Sequence, residues 1–186
     1  MENPYDMSTQ YNDLLRDVPV NPQDMERGIA FLKEKMDMSN SEKEKAKMLN
    51  LVGVYLRIVG KLEEAELMLA DSHTIYTNLK EMVLAEGVAL RLAIVHQYMG
   101  DFNKADAVFT RIIKEVEQNH NRELAVFHDF ALQHYAKSLF EQKRYQKALD
   151  LLLKVHGMRL LKGDMHLIES TEIAIQKTRQ MMEQEN

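Results

Sequence analysis

The amino-acid sequence predicts an all-α fold built as an array of helix hairpins, because one motif recurs at a nearly fixed period. The motif is a turn, an apolar or aromatic residue two positions on, and an alanine three positions further. The alanines follow one another at steps of about 40 residues, a spacing typical of helical-repeat arrays. The three copies are Gly60-Lys-Leu62-Glu-Glu-Ala65, Gly100-Asp-Phe102-Asn-Lys-Ala105 and Lys143-Arg-Tyr145-Gln-Lys-Ala148.

The distribution of proline also favours helix. Pro4, Pro19 and Pro22 all lie near the N-terminus, and no proline follows Pro22. Because proline interrupts helices, most of the chain can be helical without a break. Leu, Met, Glu, Lys, Gln and Ala are abundant, and all of them favour helix. We find no alternating apolar segment of useful length and no Asn-Gly or Asp-Gly turn, so the sequence predicts no β-strands.

Composition excludes several classes of function. The 186 residues include no cysteine, which removes disulfides, thiolate metal sites and cysteine nucleophiles. A net charge of −5 argues against non-specific nucleic-acid binding, which needs Lys and Arg to neutralise phosphates. No apolar run approaches the roughly 20 residues that cross a bilayer. No secretory signal is visible near the N-terminus, so we expect a cytoplasmic protein.

Residues 1–20 are expected to form a loose N-terminal arm that packs at most a short helix onto the rest. Asn21 and Pro22 then open a helix over 22–38, since Asn caps free amide groups and Pro suits the first helical position. The single domain predicted over 21–186 begins here.

Capping signals divide the rest of the domain into helix pairs. Ser41 with Glu44 forms a capping box, Asn78 with Glu81 marks another helix start, and Asn121 begins the third pair. Gly163 ends the last pair and Asp164 caps a final helix. The predicted repeats span about 43–78, 79–119 and 121–162, and a C-terminal capping helix covers 165–184.

The three units resemble the tetratricopeptide repeat, whose pattern is W-x2-L-G-x2-Y in the first helix and A-x3-F in the second. The departures are the missing Trp, the missing closing Pro and a period longer than the family's, which is about 34 residues. Such long units resemble those of peptide-pheromone sensors of Gram-positive bacteria and of kinesin light chains. The matches are Leu49-x2-Val52-Gly53-x2-Leu56, Ala89-x2-Leu92-Ala93-x2-His96, Leu132-x2-Tyr135-Ala136-x2-Leu139, Ala65-x3-Leu69, Ala105-x3-Phe109 and Ala148-x3-Leu152.

The resemblance implies a right-handed α-solenoid of three hairpins plus N-terminal and C-terminal helices. In this family the first helices of successive pairs line a concave groove that binds protein or peptide. The alternative is that the same positions are the solvated faces of amphipathic helices. The implied groove residues are Lys47, Asn50, Val54 and Arg57, then Arg91, Ile94, Gln97 and Tyr98, then Phe130, Gln133, Lys137 and Glu141.

No catalytic or metal-binding arrangement stands out. The chain has seven histidines, but the closest pair, His128 and His134, is six positions apart and falls on different helix faces. There is no H-E-x-x-H, no G-x-S-x-G and no phosphate-binding loop. We therefore expect no enzyme activity, no metal and no cofactor. His96 stands where the repeat has an aromatic residue, and we expect a packed, hydrogen-bonded ring there.

The sequence thus favours a cytoplasmic, bacterial adaptor that binds a protein or peptide in its groove, without nucleic acid or membrane. A second hypothesis is a peptide-responsive signalling regulator that acts through a partner protein. A third is a self-associating scaffold, with a homodimer formed through the terminal helices near Met181 and Met182. A hydrolase with a histidine–carboxylate site is the fourth.

Overall fold

The computed structural model describes residues 3–185, in two compact units that meet in sequence between Asp101 and Phe102. The first unit holds strands β1 and β2 and helices α1 to α4, and the second holds a 3-10 turn and helices α5 to α8. The elements of the first are β1 Thr9–Tyr11, β2 Asp17–Pro19, α1 Pro22–Asp37, α2 Glu42–Ile58, α3 Leu62–Asn78 and α4 Met82–Met99. Those of the second are α5 Phe102–Glu117, the 3-10 turn Leu124–Phe127, α6 His128–Glu141, α7 Tyr145–Lys162 and α8 Met165–Glu185.

Within each unit, consecutive helices pack against each other and bury apolar residues between them. In the first unit the core includes Met25 and Ile29 of α1, Val52 and Leu56 of α2, and Leu69 of α3. The all-α prediction is confirmed, since eight helices make up most of residues 3–185.

The second unit buries apolar residues from each of its four helices. Phe109 of α5, Leu132 of α6, Leu152 of α7 and Ala174 of α8 are all at most 1% exposed. Each unit therefore has its own dry core, and apolar burial is the dominant favourable contribution to folding.

The small residues of the repeat pattern are buried. Ala65, Ala105 and Ala148 are fully buried, and so are Ala93 and Ala136. Gly53 of α2 approaches α3 so closely that an added Cβ would lie 2.6 Å from Leu69 Cγ and 3.2 Å from the Ala65 carbonyl oxygen. The hairpin α2–α3 therefore depends on the missing side chain at this position.

Four helix-to-helix turns share one backbone geometry. In each, a residue with positive φ follows the helix, and its amide and the next amide bond back to carbonyls of the last turn. Gly60 and Gly100 fill this position in two turns, and Lys80 and Lys143 fill it in the others. Positive φ is strained for a residue with a side chain, so glycine is the residue expected at such a turn. The turns at Gly60 and Gly100 could therefore be recognised in the sequence more easily than those at Lys80 and Lys143.

Most predicted helix ends are confirmed by their caps. The Asn21 side chain accepts from the Asp24 amide, the Ser41 side chain accepts from the Glu44 amide, and Asp164 accepts from the Leu167 amide.

Two predicted helix starts were wrong. Asn78 is the last residue of α3 and not a cap; α4 begins at Met82, because Lys80 takes the positive-φ position. The Asn121 side chain does accept from the amides of Glu123 and Leu124. It opens the 3-10 turn, however, and α6 begins only at His128.

The prediction of no strands, and of a short helix in the arm, was also wrong. β1 and β2 form an antiparallel hairpin in which Gln10 lies opposite Val18. Its strands are too short to show an alternating pattern. The available signal was Asn12, whose side chain accepts from the Leu14 and Arg16 amides and so builds the turn. Met7 of the same arm lies against Gly28 of α1.

Replacing Gly53 with alanine should destabilise the protein by about 1–2 kcal/mol, because the new side chain overpacks the core. The collision with Leu69 and the α3 backbone outweighs the gain in helix propensity, which is about 1 kcal/mol. Gly157 of α7 is the matched control, because its added Cβ meets nothing within 4 Å. Gly157→Ala should stabilise by about 0.5–1 kcal/mol. Urea denaturation followed by circular dichroism measures both; equal shifts in the same direction would contradict the close approach.

Candidate functional site

The hairpin lies on a face of the first unit that contains three predicted groove residues. We define the α2–α4 face as the side of α2 and α4 that carries Arg57, Gln97 and Tyr98. β2 contacts α2, and residues of the turn and of β2 bond to α4. Leu15, at the tip of the turn, is only 2% exposed. The arm is therefore attached to the first unit through specific contacts.

Tyr98 stands at the centre of these contacts. Its hydroxyl oxygen accepts a hydrogen bond of 2.7 Å from the Asp17 backbone amide. The guanidinium groups of Arg16 and Arg57 each lie 4.7 Å from the centre of its ring. Burial raises the pKa of the Tyr98 hydroxyl, so it stays protonated and neutral. Cation–π contacts of this kind contribute about 0.5–2 kcal/mol each.

Arg57 supplies the charge of the face. Its Nη2 donates to a carboxylate oxygen of Asp17 at 3.0 Å, and its side chain is 7% exposed against 20% for that of Asp17. A buried guanidinium needs such a partner, because an unpaired charge is costly out of water. Asp17 is thus the anion that the α2–α4 face holds in this structure.

Arg16 binds the C-terminal end of α4. Its Nη1 donates to the Tyr98 carbonyl at 3.1 Å, and its Nη2 lies 3.5 Å from the Gln97 carbonyl. Carbonyls in the last turn lack a helical partner and carry partial negative charge, which a cation stabilises. Arg16 of the hairpin turn therefore provides a hydrogen-bond donor and a positive charge to carbonyl groups at the end of α4.

The other predicted groove residues of the first unit differ in exposure. Lys47 is exposed, whereas Gln97 is 1% exposed. Arg91 is half-buried and donates to the Gly87 carbonyl of its own helix at 2.7 Å. Burial, and after it the charge of Arg57, lower the pKa of Arg91.

Asn50 presents a polar atom that protein groups do not satisfy. Its Oδ1 is buried and has no hydrogen-bond partner among residues 3–185. An unsatisfied buried acceptor costs roughly 1–3 kcal/mol. The Asn50 amide oxygen therefore keeps an unused capacity to accept a hydrogen bond.

The second unit buries two of its four predicted groove residues, Gln133 and Lys137, while Phe130 and Glu141 are half-buried. Gln133 is 2% exposed, and neither of its amide atoms has a partner in the described part of the chain. Lys137 is 3% exposed. Phe130 packs on the His134 ring, with the ring centres 4.4 Å apart.

A separate cavity of about 190 Å³ opens between α5, α6 and α7. Its polar wall includes Glu117, which accepts from His128 at 2.8 Å and also pairs with Lys154. Burial alone would raise the pKa of Glu117, but the hydrogen bonds from Lys154 and His128 hold it below its ordinary value. None of the predicted groove residues lines this cavity.

A buried ion network links α6, α7 and α8, and sequence reasoning missed it. Arg159 donates to the Asp129 carboxylate at 3.1 Å, to the Thr171 hydroxyl at 2.8 Å and to the Leu167 carbonyl at 3.1 Å. Lys162 pairs with the other oxygen of Asp129. The signal was present: Arg159 follows Val155 by four positions on the buried stripe of α7, where a charge requires a partner.

The histidines form pairs with single carboxylates and not clusters. His96 lies 3.0 Å from Glu66, as expected for a packed, hydrogen-bonded ring, and His156 lies 3.0 Å from Glu172. Among residues 3–185, no three His, Asp or Glu side chains converge as metal ligands would. Within the same range, no helix has the length and apolarity that spanning a bilayer requires.

A family model described as "Tetratricopeptide repeat" matches residues 88–118, which cover the later part of α4 and all of α5. The match includes Gln97 and Tyr98 of the α2–α4 face. The fold is that of tetratricopeptide-like repeats. No curated protein matches this sequence.

Two solved structures from Podosopora anserina support this description. They contain nearly identical tetratricopeptide-like repeats of a protein described as a kinesin light chain, and one of them is a point variant. Both have a TM-score of 0.55 and cover 87% of this chain and 85% of theirs, at 13% and 11% identity. The resemblance to tetratricopeptide repeats is confirmed, and folds of this kind generally mediate protein–protein interaction.

Asp129→Asn should destabilise the protein by about 3–5 kcal/mol at pH 7, because it leaves Arg159 buried without its counter-charge. Burial opposes the charge of Asp129, but the hydrogen bonds from Lys162 and Arg159 outweigh it and hold its pKa below the ordinary value. Its stabilisation is therefore complete above the unfolded pKa and is lost as pH falls through the folded one.

The difference in free energy of unfolding between wild type and Asp129→Asn should consequently shrink below about pH 4. Urea titrations between neutral and strongly acidic pH measure this difference. Asp150→Asn is the control, since Asp150 is an exposed carboxylate on α7 that bonds to Gln146. If the difference in free energy of unfolding stayed constant across this pH range, Asp129 would not be the ionised partner of Arg159.

Proposed function

We propose that the chain is a non-enzymatic, cytoplasmic interaction module that binds a segment of another protein on the side of its helices that carries the predicted groove residues. The observation that carries this proposal is the α2–α4 face, where the protein already holds an extended piece of backbone. The fold supports it, because tetratricopeptide-like repeats generally act as binding surfaces.

The chemistry of the face suits an extended peptide. The Tyr98 hydroxyl accepts a main-chain N–H, and Arg57 binds a carboxylate. Asn50 offers a buried acceptor, and exposed Lys47 lies on the same helix. A peptide bound here would pair its own main-chain groups with side chains, as an added strand pairs with a sheet.

Further contacts are proposed for the remaining groove residues. Arg91, Gln97 and Tyr98 belong to the first unit, and Gln133 and Lys137 would serve the second. The buried amide of Gln133 could bond both a donor and an acceptor of a peptide, which is the use that Asn and Gln side chains serve elsewhere.

Two alternatives remain as proposals for the same fold. A peptide-responsive regulator, as in the bacterial sensors, would change its radius of gyration when the peptide binds. A self-associating scaffold is favoured by the exposed apolar residues where α7 meets α8: Leu161 is 92% exposed and Met165 is 73% exposed. Met181 and Met182 are half-buried and therefore poorer contacts than predicted. A sedimentation coefficient that rises with concentration would favour the scaffold.

Replacing Lys47 and Asn50 together with alanine should weaken binding of the partner in a cytosolic extract by about thirtyfold. Losing two polar contacts of about 1 kcal/mol each has roughly this effect. Lys47 is exposed and Asn50 is only half-buried, so circular dichroism should show unchanged helix.

The matched control for this double substitution is Lys45→Ala. Lys45 is exposed on the same helix, two positions from Lys47 and hence on another side. Mass spectrometry of the bound proteins should show one protein retained by wild type and by Lys45→Ala but lost from the double variant. Equal recovery by all three would contradict binding at this face.

A further inference from the structure

We propose that the α2–α4 face takes an extended, acidic segment of a partner protein, and that residues 9–19 occupy the face until such a segment displaces them. This inference rests on the proposed function. It adds the chemical class of the bound segment, and it identifies a competitor within the chain itself.

The hairpin depends on the face for its conformation. Its strands are very short, and an isolated two-stranded hairpin is at best marginally stable in water. Leu15 adopts a φ of 59°, a left-handed conformation that costs a residue with a side chain about 1–2 kcal/mol. Burial of Leu15 and the bonds to α2 and α4 must offset this strain. A hairpin removed from the face would therefore lose its structure.

The bonds that hold the hairpin require few features of its sequence. The bond to the Tyr98 hydroxyl comes from a backbone amide, which every residue except proline possesses. The bond to Arg57 requires only a carboxylate, which Asp17 supplies at 3.0 Å. An extended segment of another protein with Asp or Glu at the matching position could make both bonds.

The charge of the face also favours an acidic segment. The side chain of Arg57 is positively charged and only 7% exposed, so it needs an anion at this position. Asp17 is the carboxylate that pairs with Arg57 in this structure. A segment that places Asp or Glu opposite Arg57 would make the same ion pair, and hydrogen bonds between charged groups are about twice as strong as neutral ones.

Tethering sets the strength that a partner must reach. A segment joined to its site by a short linker competes at an effective concentration of the order of millimolar. The hairpin therefore lowers the apparent affinity for any other segment. The affinity that remains is the intrinsic affinity multiplied by the fraction of time for which the face is free. Weak ligands stay excluded, and removing the hairpin should reveal the intrinsic affinity.

The test uses full-length chains and a fluorescein-labelled peptide with the sequence of residues 8–20. Arg16→Ala combined with Asp17→Ala removes the hydrogen bonds of Arg16 to the α4 carbonyls, its contact with the Tyr98 ring, and the ion pair to Arg57. Asp6→Ala is the matched control, because it removes an acidic residue from the same arm, where the Asp6 carboxylate bonds to Ser8. Fluorescence anisotropy measures peptide affinity, and circular dichroism checks helix content.

The double variant should bind the peptide at least tenfold more tightly than wild type or Asp6→Ala does. A peptide with Asn in place of Asp17 should lose most of this affinity. Equal affinity for all three chains would overturn the inference and leave the proposed function standing, since the face would bind extended segments without competition. No binding to any folded chain would overturn both for this face.

A second measurement guards against misfolding of the double variant. The chain has no cysteine, so Leu15→Cys introduces a single thiol at the buried tip of the hairpin. Its reaction with a thiol reagent should be slow, and adding the isosteric Asp17→Asn should speed it at least fivefold. An unchanged rate would show that the ion pair does not hold the hairpin, and would overturn the inference.

Discussion

The close approach of paired helices is the constraint on which the rest of this structure depends. At Gly53 the Leu69 side chain of α3 lies where a Cβ would be, and the alanines of the repeat pattern in the later helices are fully buried. Because the helices touch at these points, larger residues on either side interlock and exclude water. The spacing of the small residues also fixes which side of each helix points inward. Arg57 and Tyr98 meet the hairpin because this register places them on one face.

The hairpin connects the fold to the proposed function. Arg57 is buried, and a buried charge without a partner is destabilising, so the face needs an anion at all times. Asp17 satisfies that need in the structure, and a partner's carboxylate would satisfy it in a complex. Exchange of the hairpin for a partner segment would replace one ion pair of Arg57 by another. Arg57 would therefore be paired both before and after the exchange. Such a surface is stable in the absence of ligand while it keeps the chemistry that recognises one.

The helices and their caps could be predicted because local features determine them. Asn21, Ser41 and Asp164 form the expected bonds with amides three positions away. The hairpin could not be predicted, because bonds to groups far along the chain, on α2 and α4, hold its short strands. The false cap at Asn78 has a different cause.

At Asn78, Lys80 adopts a positive φ that lysine rarely accepts, so no glycine marked the true turn. The groove residues came from the repeat register alone, and that register gives positions on a helix but not their burial. Gln97, Gln133 and Lys137 are more enclosed than such a register suggests, and pairings such as that of Arg159 with Asp129 depend on tertiary contacts.

The shared turn geometry determines where this chain can change in length. The positive-φ turns at Gly60, Lys80 and Gly100 are evenly spaced along the chain, so α3 and α4, each counted with its turn, have the same length. One residue inserted within such a helix would rotate every later side chain by about 100° and turn the buried alanine away from its crossing. The longer step, from Ala105 to Ala148, contains the segment between α5 and α6 with its 3-10 turn. Insertions and deletions should accumulate there across related sequences and be rare inside the helices.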